Sequence, residues 1–233
     1  MEQMQVQMPP ATINLPRLNN LTPSLDSTLL KAVEEAGELA RAVLKFLPYE
    51  GMAPEAIAAD QRASSLLDEV AAELLDVAQV CVTMIFVMES GSCPGQSGGF
   101  KIDALIGAHL AKLQAKGYAF DRAQSYRIAG AGEFKYLSLP RLSIKGVNLL
   151  TTVCKIGEEL GELTEYLGKR AGASGEESRL PPEEVLTGCA LELLDVAQCC
   201  FTMMYILGER YEVDIGAYLT RHLAKLRAKG YCR

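Results

Sequence analysis

The sequence contains no tryptophan, only two histidines and few aromatic residues, which make up 6% of the chain. A core with so little aromatic content must be built from Leu, Ala, Val, Ile and Met, which favours helices over a β-sandwich. Apolar residues at 49% and charged residues at 22% are ordinary values for a folded protein and exclude a disordered chain. With 233 residues, the chain is long enough for one large domain or two small ones.

Positive charge is also scarce. The net charge of −6 excludes sequence-independent nucleic-acid binding, which depends on a basic surface, so we expect no nucleic-acid partner. Residues 1–10 lack Lys, Arg and an apolar core, and we expect no signal peptide. The longest apolar runs, Val77–Met88 and Val196–Leu207, span only 12 residues each and predict no membrane span. The seven cysteines form no CxxC pair and are odd in number, which favours free thiols and a cytoplasmic location over disulfides or zinc.

The chain repeats itself, since three sequence blocks recur in the same order. Leu15–Leu18 returns 124 residues later, Glu73–Gln79 returns 119 residues later, and His109–Tyr118 returns 113 residues later with one change. Because the order is preserved while the offset shrinks, the insertions and deletions lie between the blocks. We therefore predict two related units and a linker, at residues 1–120, 139–233 and 121–138.

Each unit has the apolar spacing of three main helices, so the predicted fold class is all-α. The first helix is expected to begin at Thr22 as N-cap and to end at Pro48, and the second to begin at Ser64 or Ser65. This second helix is apolar nearly all round, which predicts burial between partners. The remaining predicted helices cover 102–116, 147–169, 182–207 and 213–229, with a short helix at 54–62.

Acidic residues recur at helical spacing in both units. The first helix carries Glu34, Glu35 and Glu38, and the second carries Glu73 and Asp76. Residues three apart share a helical face. An antiparallel pairing brings the two helices' acidic groups to one level, since about 14 Å and about 12 Å of helix separate them from the connection. Their copies in the second unit are Glu158, Glu159, Glu162, Glu192 and Asp195.

Carboxylates that face one another inside a bundle repel. One like-charged pair at 4 Å costs on the order of 4 kcal/mol at an effective dielectric of 20, so protons or cations must neutralise the group. Oxygen ligands without His or Cys suit Mg²⁺, with Mn²⁺ also acceptable. A solvated helix surface is the alternative for a single acidic motif. Retention of two paired motifs in both units favours the functional interpretation.

Six repeated lysines are candidate phosphate ligands. Lys31 and Lys155 lie one turn before acidic residues, where they either bind phosphate or pair with Glu side chains. The other four lie in the third helix of each unit, where phosphate contact is slightly favoured over solvation. These four residues are Lys112, Lys116, Lys225 and Lys229.

The two histidines, His109 and His222, have no Glu three residues before them, so the Glu-x-x-His pattern of di-iron bundles is missing. We interpret both as capping or core residues. Gln79 and Gln198 follow the acidic residue of the second helix by about one turn, where they are candidates to orient a ligand or a water molecule.

The EExxE motif on one helix and ExxD on the next resemble the MazG-like, all-α nucleoside triphosphate pyrophosphohydrolases. This superfamily includes dimeric dUTPases and phosphoribosyl-ATP pyrophosphohydrolase. The Lys-x-x-x-Lys-Gly-Tyr ending of each unit is similar to the basic ending of many members, with Lys where Arg is common. The segments between the two motifs, of 34 and 29 residues, are longer than is typical of the family.

The resemblance implies Mg²⁺-dependent cleavage of a (d)NTP between the α and β phosphates, with clearance of non-canonical nucleotides as one role. Glu34 and Glu158 would act as outer ligands or as the base for the attacking water. Because family members pair two subunits, the two units are expected to form an internal pseudo-dimer, with a further homodimer left open. At the positions that match the family's motif, the metal ligands would be Glu35, Glu38, Glu73, Asp76, Glu159, Glu162, Glu192 and Asp195.

Two other functions stay open at this point. A non-catalytic helical module could bind nucleotide–Mg²⁺ or a protein partner through the same carboxylates. A di-iron carboxylate protein is disfavoured by the missing Glu-x-x-His. The preferred base is not apparent from the sequence, and Phe46, Tyr49 and Tyr166 are the aromatic candidates for a base pocket, beside residues of the linker.

Overall fold

The computed structural model describes residues 12–91, 101–121, 128–131, 134–172 and 181–233. It is 73% helix, with seven helices in the described ranges, which confirms the predicted helical character. The expectation about residues 1–10 and much of the predicted linker lie outside the described residues.

Seven α-helices and five short strands follow one another along the chain. The helices are α1 Leu25–Phe46, α2 Pro54–Ala59, α3 Gln61–Glu89, α4 Ile102–Ala115, α5 Leu149–Ala171, α6 Pro182–Tyr211 and α7 Ile215–Ala228. The strands are β1 Leu15–Pro16, β2 Ala119–Phe120, β3 Ile128–Ala131, β4 Phe134–Leu137 and β5 Leu142–Ser143. All predicted helices are present, although several ends differ.

The N-caps of α1 and α3 differ from those predicted. Ser24 caps α1 instead of Thr22, because the Ser24 hydroxyl accepts from the Ser27 N–H while the Ser27 hydroxyl accepts from the Ser24 N–H. Asp60 caps α3, where its carboxylate accepts hydrogen bonds from the backbone N–H groups of Arg62 and Ala63. An acidic side chain also interacts favourably with the helix dipole, so α3 begins four residues earlier than Ser65.

The two long helices α3 and α6 form the centre of the protein. They pack against each other, while α1 packs on α3 and α5 packs on α6, and α1 also contacts α5. The helices of the two halves therefore share one apolar core, in which Met84, Phe86 and Phe201 are almost fully buried. This confirms the predicted burial of the second helix.

Both central helices are longer than their apolar runs suggested. Each contains a window of 18 residues that is long and apolar enough to cross a membrane, which the 12-residue runs did not predict. In the structure 78% of that window in α3 and 89% in α6 is buried inside the protein. The apolar surface of these helices is therefore used in packing against other helices.

Two small antiparallel sheets were not predicted. One has the strand order β1-β4-β3 and the other pairs β2 with β5. The repeated block that begins at Leu15 supplies β1, and the last residue of its copy, Leu142, begins β5. Pro16 is tolerated because β1 is an edge strand, where a missing N–H leaves no ladder partner unpaired. Strands of two to four residues are too short for an alternating pattern to be recognised.

Gly188 of α6 lies where the aromatic ring of Tyr166 crosses the helix. A Cβ atom at this glycine would come 2.4 Å from the ring, well inside van der Waals contact. By contrast, a Cβ atom added at Gly161, a helical glycine on α5, would have no atom within 4 Å. The α5–α6 contact therefore depends on the absence of a side chain at residue 188.

We expect Gly188→Ala to destabilise the protein, because the cost of overpacking, typically about 1–3 kcal/mol, exceeds the gain in helix propensity. Chemical denaturation would measure the free energy of unfolding. In a Tyr166→Ala background the same change should become stabilising, as Gly161→Ala should be in the wild-type chain, by about 0.5–1 kcal/mol. Equal effects at the two glycines would contradict the proposed contact.

Candidate metal and phosphate site

Carboxylates of α1 and α3 meet in the first half of the chain. Glu35, Glu73 and Asp76 each offer one oxygen, and these three oxygens lie within 4.8 Å of one another. We call these residues the first cluster. Glu38, one turn further along α1, is about half exposed and lies 3.6 Å from Arg41. The structure therefore brings together three of the four predicted ligands and places the fourth at the rim.

Carboxylates of α5 and α6 meet in the same way in the second half. Glu159, Glu162 and Glu192 offer oxygens within 4.8 Å of one another, and we call them the second cluster. Asp195 lies one turn beyond Glu192 and is also buried. It belongs to the same site but not to the set of closest oxygens, since Lys112 and His109 contact it.

Burial and mutual repulsion make one glutamate of each cluster hard to ionise. Desolvation, with repulsion from Asp76 and other neighbouring carboxylates, raises the pKa of Glu73 to about 7. Desolvation and interaction with Glu159 raise the pKa of Glu192 to about 8, against the opposing attraction of Lys112. Both groups therefore take up protons near neutral pH when no cation neutralises the cluster.

The same two glutamates have buried oxygens without a partner. Oε2 of Glu73 and Oε2 of Glu192 have no hydrogen-bond partner among the residues that the structure describes. A buried acceptor without a partner costs about 1–3 kcal/mol, so such groups are rare unless a ligand satisfies them. The oxygen-only donor set, its spacing and these two atoms fit a hard divalent cation such as Mg²⁺.

Each cluster receives a lysine and a histidine from the other half of the chain. Lys225 of α7 forms an ion pair with Asp76, and His222 Nδ1 lies 3.4 Å from the same carboxylate. Burial by itself would raise the pKa of Asp76. The contacts with His222 and Lys225 outweigh burial, so the pKa of Asp76 lies below its ordinary value. The first site is therefore built from helices of both halves.

The second site has the reciprocal arrangement. Lys112 of α4 forms an ion pair with Asp195 and lies 3.8 Å from Glu192, while His109 Nδ1 is 3.2 Å from Asp195. Here too burial raises the pKa of Asp195, and the histidine and the lysine reverse the shift and lower it. The aspartates stay ionised while the neighbouring glutamates tend to be protonated.

A buried glutamine connects each histidine to the repeated Leu-Pro-Arg-Leu block. Gln198 Oε1 lies 3.4 Å from His109 Nε2, and its Nε2 donates to the carbonyl of Pro140 over 2.6 Å. In the other half, Gln79 lies between His222 and Pro16 in the same way. The histidines are core residues as predicted, and each is held by a glutamine. The candidate role of Gln79 and Gln198 toward a ligand or a water molecule stays a prediction, and Gln198 also lines the cavity described below.

The remaining predicted site residues lie at the rim. Glu34 and Glu158 each have side chains 58% exposed and pair with Lys31 and Lys155, which also hold Glu35 and Glu159. Lys116 and Lys229 are exposed at the ends of α4 and α7. The structure thus places these groups around the clusters rather than inside them.

A cavity of about 220 Å³ adjoins the second cluster and is bordered by Glu159 and Asp195. Its described lining contains the aromatic residue Tyr118, and not Phe46, Tyr49 or Tyr166. Phe46 is fully buried in the core, whereas the expectation for Tyr49 and Tyr166 stays a prediction. Cys199 also lines the cavity, and burial raises the pKa of its thiol to about 12, so the thiol is neutral.

The contact between the histidines and the aspartates was missed from the sequence. His109 and Lys112 lie three residues apart, as do His222 and Lys225, so each pair shares one helical face. That spacing was available as a signal. Because Glu-x-x-His is absent, the histidines were interpreted as capping or core residues. Both are buried, but this interpretation did not include their contacts with the aspartates.

We expect Glu192→Gln to be stabilising relative to wild type above about pH 8 in the presence of EDTA. Since the folded protein holds the proton of Glu192 up to about pH 8 and the unfolded chain releases it near pH 4.5, wild-type stability falls across this window. The variant lacks this loss. Thermal melting between pH 5 and 8.5 should show that the stability advantage of the variant grows to about 1–2 kcal/mol. Each kcal/mol corresponds to a rise in melting temperature of about 2–4 °C.

Glu158→Gln is the matched control for this measurement, because its side chain is 58% exposed. It should not gain stability over wild type as the pH rises. An advantage of Glu192→Gln that is constant with pH would contradict the assignment of a buried, reluctantly ionised carboxyl.

Comparison with protein-family models, with curated proteins and with solved structures found no match to this chain. The resemblance to the MazG-like enzymes therefore remains one of motifs and spacing. The case for function depends on the geometry of the two clusters.

Proposed function

We propose that the protein is a Mg²⁺-dependent nucleotide pyrophosphohydrolase with two sites, which converts a (d)NTP and water into the (d)NMP and pyrophosphate. The observation that carries this proposal is the pair of carboxylate clusters. Each has a buried oxygen without a partner among the described residues, and each has a lysine from the other half beside it. Carboxylates for a divalent cation and ammonium groups for phosphate are the two requirements of phosphoanhydride hydrolysis. Clearance of non-canonical nucleotides is the proposed role.

We infer further that the two repeats form an internal pseudo-dimer. The packing of α3 on α6 and of α1 on α5 joins equivalent elements of the two units. The contacts of Lys112 with Asp195 and of Lys225 with Asp76 also join equivalent positions in opposite directions. Reciprocal contacts of this kind are characteristic of a two-fold arrangement.

The carboxylates of the clusters would hold the cation, with Glu38 in the first half and Asp195 in the second completing each set. When bound, Mg²⁺ supplies neutralisation of polyphosphate charge and a water of lowered pKa. The buried glutamates would give up the protons that they otherwise retain near neutral pH. Binding of a cation would therefore release protons and remove the repulsion inside each cluster.

The lysines provide the positive charge around the phosphates. Lys112 and Lys225 reach the inner side of each cluster from the opposite half, whereas Lys31 and Lys155 border it on the same helix as the first glutamate. A lysine ammonium on a flexible stem can move from a carboxylate to a phosphate oxygen without rearrangement of the backbone. Lys116 and Lys229 extend this positive rim outward.

Glu34 and Glu158 are the proposed outer groups for the attacking water. Each is exposed and one residue away from a cluster glutamate, so its carboxylate is open to solvent at the mouth of the site. In this position it can accept a proton from water that enters the site. The buried glutamates are less suited to this role, because they would hold the cation.

The activity is tested by incubation of the purified chain with Mg²⁺ and a panel of canonical and modified NTPs and dNTPs, with products identified by chromatography. We expect monophosphate and pyrophosphate in equal amounts from at least one substrate. Glu73→Gln with Glu192→Gln should reduce kcat/KM by more than about 100-fold, beyond the loss typical of an outer-shell change. Circular dichroism would confirm that the fold is retained.

Glu55→Gln with Glu184→Gln is the matched control, because both residues are exposed and neither belongs to a cluster. Glu55 lies on α2, and Glu184 lies in the first turn of α6, eight residues before Glu192. It should leave turnover unchanged. Intact triphosphates throughout, with nucleotide–Mg²⁺ bound in calorimetry, would overturn the proposal in favour of the non-catalytic binding module.

The exchange of lysines between halves gives a second prediction. In a Glu73→Gln chain only the second site is active, so adding Lys225→Met should change little, because Lys225 serves the first site. Adding Lys112→Met instead should reduce the remaining activity by about tenfold or more, since Lys112 serves the second site. Steady-state kinetics of the two double variants would measure the difference. The opposite order would show that each lysine serves its own half.

A further inference from the structure

The cavity beside the second cluster has a counterpart in the sequence of the first unit. Fourteen residues line the cavity, and ten of them are identical at the equivalent positions of the other unit. Four positions differ between the two units. As second-unit residue and first-unit equivalent, they are Ile144 and Asn20, Val147 and Pro23, Thr151 and Ser27, and Cys199 and Val80.

The largest change in chemistry is between Ile144 and Asn20. Ile144 presents only carbon atoms, whereas Asn20 presents an amide. The Asn20 side chain donates to the carbonyl of Gly230 over 3.0 Å, and its backbone N–H donates to that of Tyr231. In the second unit the corresponding segments are joined instead by the strand pairing of β2 with β5. The amide of Asn20 is thus held next to the end of the third helix.

Polar side chains inside the second-unit cavity are already engaged within the protein. Gln198 Nε2 donates to Pro140 and to Thr202, and the Thr152 hydroxyl donates to the carbonyl of Asn148. These groups would have to give up existing bonds to bind a ligand. The cavity therefore selects mainly by shape and apolar contact, to which the neutral thiol of Cys199 also contributes.

The cavity and the acidic cluster share a border. Glu159 belongs to both, and its neighbours Lys155 and Asp195 also line the cavity. A molecule whose phosphates contact the cluster can therefore extend directly into the cavity. A nucleotide has this shape, with a polyphosphate at one end and a planar base on a sugar at the other. The inference rests on the proposed function for the phosphate end only.

We propose that the cavity holds the sugar and base of the nucleotide, and that Ile144 and Asn20 give the two sites different base preferences. The second site favours a base with an apolar edge, such as thymine with its methyl group. In the first site Nδ2 of Asn20 is engaged with Gly230, so Oδ1 is the atom left to accept a hydrogen bond, and this site favours a base with an amino group at its edge, such as cytosine. A site that hydrogen-bonds a polar edge discriminates strongly against an analogue that lacks it.

Reciprocal exchange in single-site chains tests this proposal. Glu73→Gln leaves the second site and Glu192→Gln leaves the first. The dTTP-to-dCTP ratio of kcat/KM should be higher in the Glu73→Gln chain. Adding Ile144→Asn to that chain should lower the ratio by about tenfold, and adding Asn20→Ile to the other should raise it by a similar factor. Leu150→Asn makes the same kind of change at an exposed residue outside the cavity lining, so it is the control and should leave the ratio unchanged.

Binding of the monophosphates dTMP and dCMP separates this inference from the proposed activity. Cys199→Phe fills the cavity and should abolish one dTMP site in calorimetry while dCMP binding persists, and Val80→Phe should do the reverse. If no chain hydrolyses any nucleotide but these losses occur, the proposed activity fails and the base assignment stands. If hydrolysis occurs but neither the exchange variants nor the filled cavity changes the selectivity, the base assignment fails alone.

Discussion

Repulsion between carboxylates buried at the helix junctions is the constraint on which the rest of the structure depends. Two glutamates and an aspartate close together cannot all be ionised without a compensating charge. The protein meets this constraint with lysines and histidines that hold the aspartates, and with the protonation of Glu73 and Glu192. A divalent cation would replace both devices. The arrangement is costly for stability, and this cost supports the proposal that the clusters bind a cation.

The compensating cations come from the opposite half, which makes the two repeats interdependent. The α7 helix completes the site of α1 and α3, and α4 completes the site of α5 and α6. Loss of either third helix would leave an uncompensated buried aspartate in the other half. This gives a physical reason why both copies of the acidic motif and both copies of the His–Lys pair are present in one chain.

Sequence periodicity predicted the helices well because apolar spacing is a local property. It failed at the caps, where Asp60 replaced the expected serine of α3, since several polar residues near a helix start can serve and their geometry decides. It missed β1 and β5, whose few residues pair with segments far along the chain. It also misjudged Phe46 as a candidate for the base pocket, because an aromatic residue at a helix end can lie in the core or at the surface with the same spacing.

The sequence by itself determined the two units, the helices and the pairs of acidic residues that share a face, because each follows from a repeat or a spacing of three to four residues. Only the tertiary structure decided which lysine reaches which aspartate. Lys112 and Asp195 are 83 residues apart and Lys225 and Asp76 are 149 apart, and no local pattern specifies these pairings. They follow from the packing of α3 on α6, which is set by the shape of a shared apolar core.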